Sequence, residues 1–371
     1  MEQTSEMRVS MRSMGVLFVI AIFIVPGLAV VTAISSEGAE EFTPYYDQLN
    51  VNEKAAYDAI NSAGFDTRTI TVVLPITLTA RSDNPDDAKE YLEKEIRSIS
   101  DNAFIALWIS SPYAYWGWIA NVVPQPTPDL TQNGDQFTVT SLTWTIEPAH
   151  PPGTQNAGEV DVEKMVDDLK AAVDLFHTDS TTIRGKVLDM NNYLVDLVTY
   201  DPNARVYMST NGEPMESPFA HDAYGALVDP SHYAVCDGYS KAFLLLCQKE
   251  GIDCVVVFGT KIPDYENHAW NYVKMDDDKW YAVDVTWNDN GKGDNPYFLM
   301  GGDTFFATHN QGVFLGVGTK SYTFDSPVIS GEDYDVAPAT SGYNEQLSWI
   351  AAAAIVIIIA IMLYRYSKEN K

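Results

Sequence analysis

Two aromatic-rich segments, NHAWNYVKM (residues 267–275) and KWYAVDVTW (279–287), are separated by three consecutive aspartates, Asp276 to Asp278. So short a polar link between two strand-like runs reads as a β-hairpin, and the parity of its loop decides which side chains share a face. With an odd loop Met275 faces Lys279 and His268 faces Thr286. Asp284 then lies diagonal to His268 on the same face, roughly 7–8 Å away, within reach of the two side chains. An even loop puts them on opposite faces. Alternation groups His268, Trp270 and Tyr272 on one strand, and Trp280, Ala282, Asp284 and Thr286 on the other. An aspartate in so apolar a strand is a poor β-former and costly to bury without a partner, and an imidazole would supply one. Taken alone, the pair is better explained by two core residues that satisfy each other.

A thiol upstream changes that balance. The chain has only three cysteines. Cys236, in YAVCDGYSKAF (233–243), precedes a stretch with Tyr239, Phe243 and Leu246 at helical spacing and a glycine stop at Gly251. A cysteine in the first turn of a helix sits in positive potential, the setting that nucleophilic thiols use. Gly238 is expected to leave room there for a substrate backbone. Cys247 and Cys254 stand in apolar company and read as packing residues. A nucleophile, a base and a group that orients the base form the set needed for acyl transfer. The Cys236 amide is the expected oxyanion donor; Tyr224, in HDAYGAL, is the candidate for a second, against its reading as an ordinary packed tyrosine. Trp270, two residues from His268, is the candidate for substrate contact.

The order Cys236, His268, Asp284, with CDGYSKAF opening a helix, NHAWN on one strand and WYAVDVTWND on the next, resembles the transglutaminase-like superfamily, most of all its microbial and archaeal branch. The resemblance covers residues 221–300. It implies an α+β, papain-like core in which the nucleophile helix packs on an antiparallel sheet, with Cys236 as nucleophile, His268 as general base and then acid, and Asp284 orienting the imidazole. It also implies a protein or peptide amide as substrate and a thioester intermediate. Proteolysis, deamidation and transamidation stay open together. Some relatives lack a complete triad, so a catalytically silent surface or envelope-binding module is the alternative. YDQLNVNEKAAYDAI looks like the helix that often precedes such domains in microbial surface proteins.

The rest of the chain frames this domain. Asp and Glu number 51 against 23 Lys and Arg, a formal charge of −28, which repels phosphate backbones and excludes nucleic acid as a partner. The uncharged run 14–34 reads as a membrane anchor or a signal peptide, and the run 347–364 as a membrane helix. Arg8 and Arg12 before the first, with Arg365, Lys368 and Lys371 after the second, put both termini in the cytoplasm, if the first run is retained, and residues 36–346 outside. The expected organisation is 1–36 anchor or signal peptide, 37–157 a smaller mixed α/β region, 158–320 the catalytic domain, 321–346 a polar stalk, 347–364 the membrane helix and 365–371 a tail.

Within 37–157, VNEKAAYDAINSAG reads as a helix, TITVVLPITLTA as a strand, DNPDDAKEYLEKEIRSIS as a helix, FIALWIS and FTVTSLTWTIEP as strands, SPYAYWGWIA as a packed aromatic cluster and 147–158 as a joint. Two long helices then precede the Cys236 motif, and IDCVVVFGT and PYFLM complete the strands. No metal or other cofactor is expected. His232 and Cys236 lack further ligands to complete a zinc set; NDNGKGD (288–294) is rich in oxygens but lacks the EF-hand order, so it reads as a plain turn first, with calcium as the alternative that is not indicated. The oligomeric state is not legible.

Overall fold

The computed structural model describes residues 42–64, 67–113, 125–146, 161–204, 219–312, 314–315, 321–322 and 324–335. The chain divides into two compact units, Met1–Ala149 and His150–Lys371. The division falls at the Pro- and Gly-rich joint 147–158, which itself lies outside the described residues, as do both uncharged runs and most of SPYAYWGWIA. Among the described residues no helix is long and apolar enough to cross a membrane.

The first unit begins with a short helix α1 (Pro44–Asp47) and α2 (Val51–Asn61), whose start is closed by a capping box between Asn50 and Glu53. A three-stranded antiparallel sheet follows, in the order β1-β3-β2, from β1 (Thr69–Arg81), β2 (Thr127–Asn133) and β3 (Gln136–Thr145). Between β1 and β2 runs α3 (Pro85–Ser110), 26 residues long. It passes through FIALWIS, so the strand expected there does not exist. The buried series Leu92, Ile96, Ile99, Ala103 and Leu107 keeps helical spacing across the join, and no Gly or Pro interrupts it. A short apolar run cannot reveal by itself that it extends a polar helix. β2 escaped notice because TPDLTQN is almost wholly exposed and shows no alternation. The Trp144 indole donates to Ser100 Oγ at 2.9 Å and joins sheet to helix.

The second unit contains α4 (Val162–Leu175), α5 (Ile183–Leu197), a parallel pair β4 (Thr199–Tyr200) and β5 (Tyr233–Ala234), the short α6 (Ala223–Leu227), and then α7 (Cys236–Lys249). A five-stranded antiparallel sheet completes it, built from β6 (Cys254–Lys261), β7 (Asn267–Lys274), β8 (Trp280–Val283), β9 (Phe298–Met300) and β10 (His309–Gln311) in the order β10-β6-β7-β8-β9. Single-turn helices α8 (Val285–Asn288) and α9 (Gly302–Phe305) flank β9, and β11 (Phe314–Leu315) pairs with β12 (Ser321–Tyr322). From Asp237 to Cys247 every residue of α7 is buried, the mark of a helix enclosed on all sides. It packs on the sheet as expected: the Asn271 amide of β7 donates to Ser240 O at 2.9 Å. Gly251, at φ 66°, turns the chain out of the helix. Lys249 Nζ meanwhile donates to Val173 O, Asp174 O and Phe176 O at 2.7–2.9 Å, closing the end of α4.

The hairpin has the odd loop. Asn271 pairs with Val283 and Lys274 with Trp280, and Met275 N donates to Lys279 O at 2.9 Å. One expectation fails: β8 stops at Val283, and Asp284 leaves the sheet to cap α8, so no pair forms between His268 and Thr286. The reason is local. A strand-averse aspartate accepts the Trp287 amide with its own side chain and starts a helical turn instead.

The polar stalk also begins later than residue 321. Ile329 bridges to Trp280, Ser330 O accepts from Gly302 N at 2.7 Å, Asp333 Oδ1 accepts from Gly301 N at 2.8 Å, and the Tyr334 hydroxyl donates to Asp276 at 2.6 Å. Residues 324–335 are therefore a strap on the sheet edge. Its Gly and Asp content, which reads as linker, serves backbone pairing at close quarters.

Candidate active site

Cys236 is the first residue of α7 and is partly exposed, whereas Cys247 and Cys254 are buried; all three are free thiols. Burial pushes the Cys247 thiol well up, as for an inert packing cysteine. At the start of α7 the preceding residue, Val235, offers no capping side chain, and the acid of the first turn, Asp237, is engaged by His221 Nδ1 at 2.9 Å.

His268 is the second residue of β7, and Asp284 stands between β8 and α8. The His268 Nε2 lies 2.7 Å from Asp284 Oδ2, and the Cys236 sulfur is near enough to act on the ring electrostatically. With Nε2 committed to the carboxylate, Nδ1 is the nitrogen left for sulfur. Trp287 stacks on the imidazole, with centroids 5.1 Å apart and planes at 26°, and fixes its plane. Asp284 is fully buried and accepts three donors: Trp287 N on Oδ1 at 3.1 Å, and on Oδ2 both His268 Nε2 and, at 3.1 Å, His309 Nε2. A carboxylate only accepts, so both Nε2 atoms carry protons.

The electrostatics follow from this crowding. Burial works against an imidazolium at His268, but the charge and hydrogen bond of Asp284, with the Cys236 sulfur behind them, outweigh it and raise His268 to about 10. Burial likewise opposes the Asp284 carboxylate, and the His268 charge, with hydrogen bonds from both histidines, brings it down to about 2. His309 moves the other way. Burial lowers it despite the carboxylate, and the charge on His268 adds to the effect. Around one carboxylate, therefore, one imidazole is charged and the other neutral.

Cys236, His268 and Asp284 thus meet as expected, and three other candidates do not join them. Gly238 is buried, and a Cβ there would lie 2.4 Å from Ala220 O: the glycine admits a neighbouring loop to the helix, not a substrate. Trp270 is wholly buried between Phe305, Tyr272 and His309, because alternation turns it into the core alongside His268 rather than to solvent. Tyr224 packs edge-on against Phe219, and its hydroxyl feels the charges of Asp168 and Lys164 on α4. His232 Nδ1 is bound to Ala226 O and His221 Nδ1 to Asp237, so neither is arranged with Cys236 as a metal ligand.

Two residues of the site went unread in the sequence, His309 and Trp287. His309 comes from a three-residue strand too short for periodicity, and its one signal is a histidine closing the apolar stretch FFAT. Trp287 looked like a strand residue. Among the described residues, His268, Asp284 and His309 are the group whose ligand atoms lie close enough, within 4.8 Å, to surround a cation. The 2.7 Å and 3.1 Å separations are those of shared protons, which a metal would have to displace. In 288–294 the oxygens serve the turn itself: Asn290 bonds Asp294 and the Lys292 amide.

Residues 170–285, a range that includes all three triad residues, match the family model described as the transglutaminase-like superfamily. Similar solved structures include one described as a TGase, 14% identical over 67% of this chain and 58% of that one, at a TM-score of 0.27. A putative cysteine protease from Cytophaga hutchinsonii is 12% identical over 44% of this chain and 62% of its own, at 0.24. The periplasmic domain of TgpA from Pseudomonas aeruginosa, bound to ethylmercury, is 12% identical over 46% and 68%, at 0.18. The chain spans less than two thirds of the first two. No curated protein matches it.

Proposed function

Residues 170–285 being a transglutaminase-like domain, we propose that the protein is a cysteine-dependent enzyme that acts on amide bonds of proteins or peptides through a thioester. The observation that carries this reading is the 2.7 Å bond between Asp284 Oδ2 and His268, with the partly exposed Cys236 thiol at a helix start acting on the same ring. The Cys236 thiolate attacks the carbonyl carbon, and the electron pair moves onto oxygen, where first-turn amides of α7 face the developing charge. As the tetrahedral adduct collapses, the C–N bond breaks and the imidazolium gives its proton to the departing amine. Neutral His268 then takes a proton from the acceptor, water or an amine, as that acceptor attacks the thioester and the thiolate leaves. Asp284 stays ionised and keeps the ring aligned throughout. All the proposed steps use side chains and backbone of this chain.

The same reading places the enzyme at a membrane with residues 36–346 outside, supported by the uncharged runs 14–34 and 347–364 and their flanking positive charges.

The test is peptide-resolved alkylation of Cys236 by iodoacetamide from pH 4 to 10, alongside incorporation of a fluorescent primary amine into casein, ammonia release and casein cleavage. An active triad gives fast labelling persisting at pH 6, where a free thiol is protonated, a collapse of that labelling in His268→Ala, and no turnover in Cys236→Ala. Labelling at pH 6 no faster than glutathione, unchanged in His268→Ala, would leave a silent binding module.

A further inference from the structure

We infer that His309 is a positioning residue of this site: its Nε2–H holds Asp284 Oδ2, so that the buried carboxylate stays ionised and aimed at His268. The inference rests on the triad reading above and adds to it a residue outside the matched segment 170–285.

Asp284 has no exposure to solvent, so protein donors must replace all the water it gives up. The Trp287 amide serves Oδ1, and Oδ2 is shared by two imidazoles. His309 is the one of the two that makes no contact with the thiol chemistry. Its ring is fixed independently of the carboxylate: it stacks on Phe305 at 3.9 Å and 11°, meets the edge of Trp270 at 5.0 Å, and lies 4.4 Å from Trp287. Thr308 Oγ1 stands 2.9 Å from its Nδ1, and its backbone pairs with Lys261 on β6. A donor locked in this way can restrain an acid that sits where a strand has just ended. Gly259 makes the arrangement fit, since a Cβ there would lie 2.3 Å from Asn310 O and 2.6 Å from the Trp270 ring.

The charged groups that face His309 are Asp284 and His268, the latter at 5.5 Å between ring centroids. A second imidazolium at that distance would compete for the single negative charge. Burial and the His268 charge keep His309 neutral, so it donates a hydrogen bond without drawing on the ion pair. A core histidine that only filled space would need none of this.

The experiment measures the iodoacetamide rate at Cys236 against pH in the full-length chain for wild type, His309→Phe, His309→Gln and His268→Ala, with melting temperatures. Phe keeps the ring stack and removes the donor; Gln restores an N–H at similar reach. We expect His309→Phe to lower the rate at pH 5, where Asp284 is ionised in both proteins, by about tenfold, because the carboxylate is no longer held in line with His268. Its acid limb should move up by roughly one pH unit, because a carboxylate with one donor fewer takes up a proton more readily. His309→Gln should return to within about threefold of wild type. A wild-type profile in His309→Phe overturns the inference. So does an equal loss in Phe and Gln with an unmoved acid limb and a lower melting temperature, the signature of a purely structural role. If His309→Phe does not fold, His309→Asn, too short to reach Oδ2, is read by the same criteria. A normal profile in His268→Ala would remove the triad reading itself; collapse there with a normal His309→Phe removes this inference alone.

Discussion

Asn52 in the first unit and Asp284 in the second are both buried polar residues next to the end of a regular element, and they are satisfied in opposite ways. Four residues of β1, Leu74 to Thr77, stand opposite Thr140 alone on β3, and this bulge would leave the backbone of Ile76 without a ladder. Asn52 replaces the missing strand: its Oδ1 accepts from Ile76 N at 2.9 Å and its Nδ2 donates to Ile76 O at 2.8 Å. Every partner there is a fixed, non-titrating group, so the burial secures geometry and nothing else. Asp284 instead meets two imidazoles, one of which leads to a thiol that solvent can reach. The same cost of burial is offset in one place by amides with no proton to exchange, and in the other by groups that can pass one on. Burial and hydrogen bonding alone do not separate architecture from chemistry; the titratable partner and its exposed end do.

The sharpest way to break this contrast is to exchange the effects. Asp284→Asn keeps a single acceptor oxygen, enough to cap α8 or to accept from His268 but not both, and removes the charge that maintains the imidazolium. Its turnover, by whichever of the amide assays responds, should fall by on the order of a thousandfold in protein that is still folded, although the melting temperature falls as well because the buried pair is lost. Asn52→Ala should do the reverse. It should destabilise its own unit by about 1–3 kcal/mol, since two backbone groups lose their partner, and leave the Cys236 alkylation rate alone. Urea titration of both variants beside the alkylation assay decides the matter. A thousandfold catalytic loss in Asn52→Ala would mean that the two regions are not separable.

A smaller effect follows from pH. Asp284 has a folded value lowered to about 2, so its stabilising contribution is complete above the ordinary carboxylate range and fades as pH drops towards 2. His268 is raised to about 10, so its contribution is complete below about 6.5 and is lost as pH rises towards 10. The pair is therefore fully stabilising only between about pH 4 and 6.5. From pH 6.5 to about 7.5, below the main range of thiol ionisation in unfolded chains, the melting temperature of the second unit should decline. That decline should flatten in His268→Gln. The Asn52 clamp has nothing to titrate and should contribute no slope. Differential scanning calorimetry across that window tests both statements, and a slope unchanged in His268→Gln would assign the pH dependence elsewhere.

The contrast also explains what could be read in advance. The His268–Asp284 proximity was legible because a three-residue loop fixes hairpin parity, and the Cys236 helix because its apolar face and Gly251 stop are local signals. Each of these depends on neighbours in sequence. FIALWIS was misread because an apolar run carries one period only when seen with the polar helix before it. Asp284 leaving β8 is a local capping signal, three residues long, that the strand pattern masked, whereas His309 arriving from β10 and the strap at 324–335 depend on partners tens of residues away. The Asn52 clamp, 24 positions from Ile76 in the sequence, belongs to the same class.

The smallest expected effect concerns Tyr224, which sequence order alone puts near the site. Its ring lies against Phe219 at 5.0 Å, and the charges that act on its hydroxyl, Asp168, Lys164 and Asp229, belong to α4 and the loop after α6. Burial raises its hydroxyl, with Asp168 adding to the effect, so it remains a neutral phenol at any pH where the enzyme would work. A hydroxyl that stabilised the oxyanion would be worth roughly 10²–10³ in turnover, whereas one that only faces α4 is worth nothing measurable in the chemical step. Tyr224→Phe preserves the ring contact and removes the oxygen. It should leave kcat within about twofold and the Cys236 alkylation profile in place. A fall in kcat of a hundredfold at constant KM would return Tyr224 to the catalytic side of the comparison, with the hydroxyl reaching the acyl oxygen in the substrate complex.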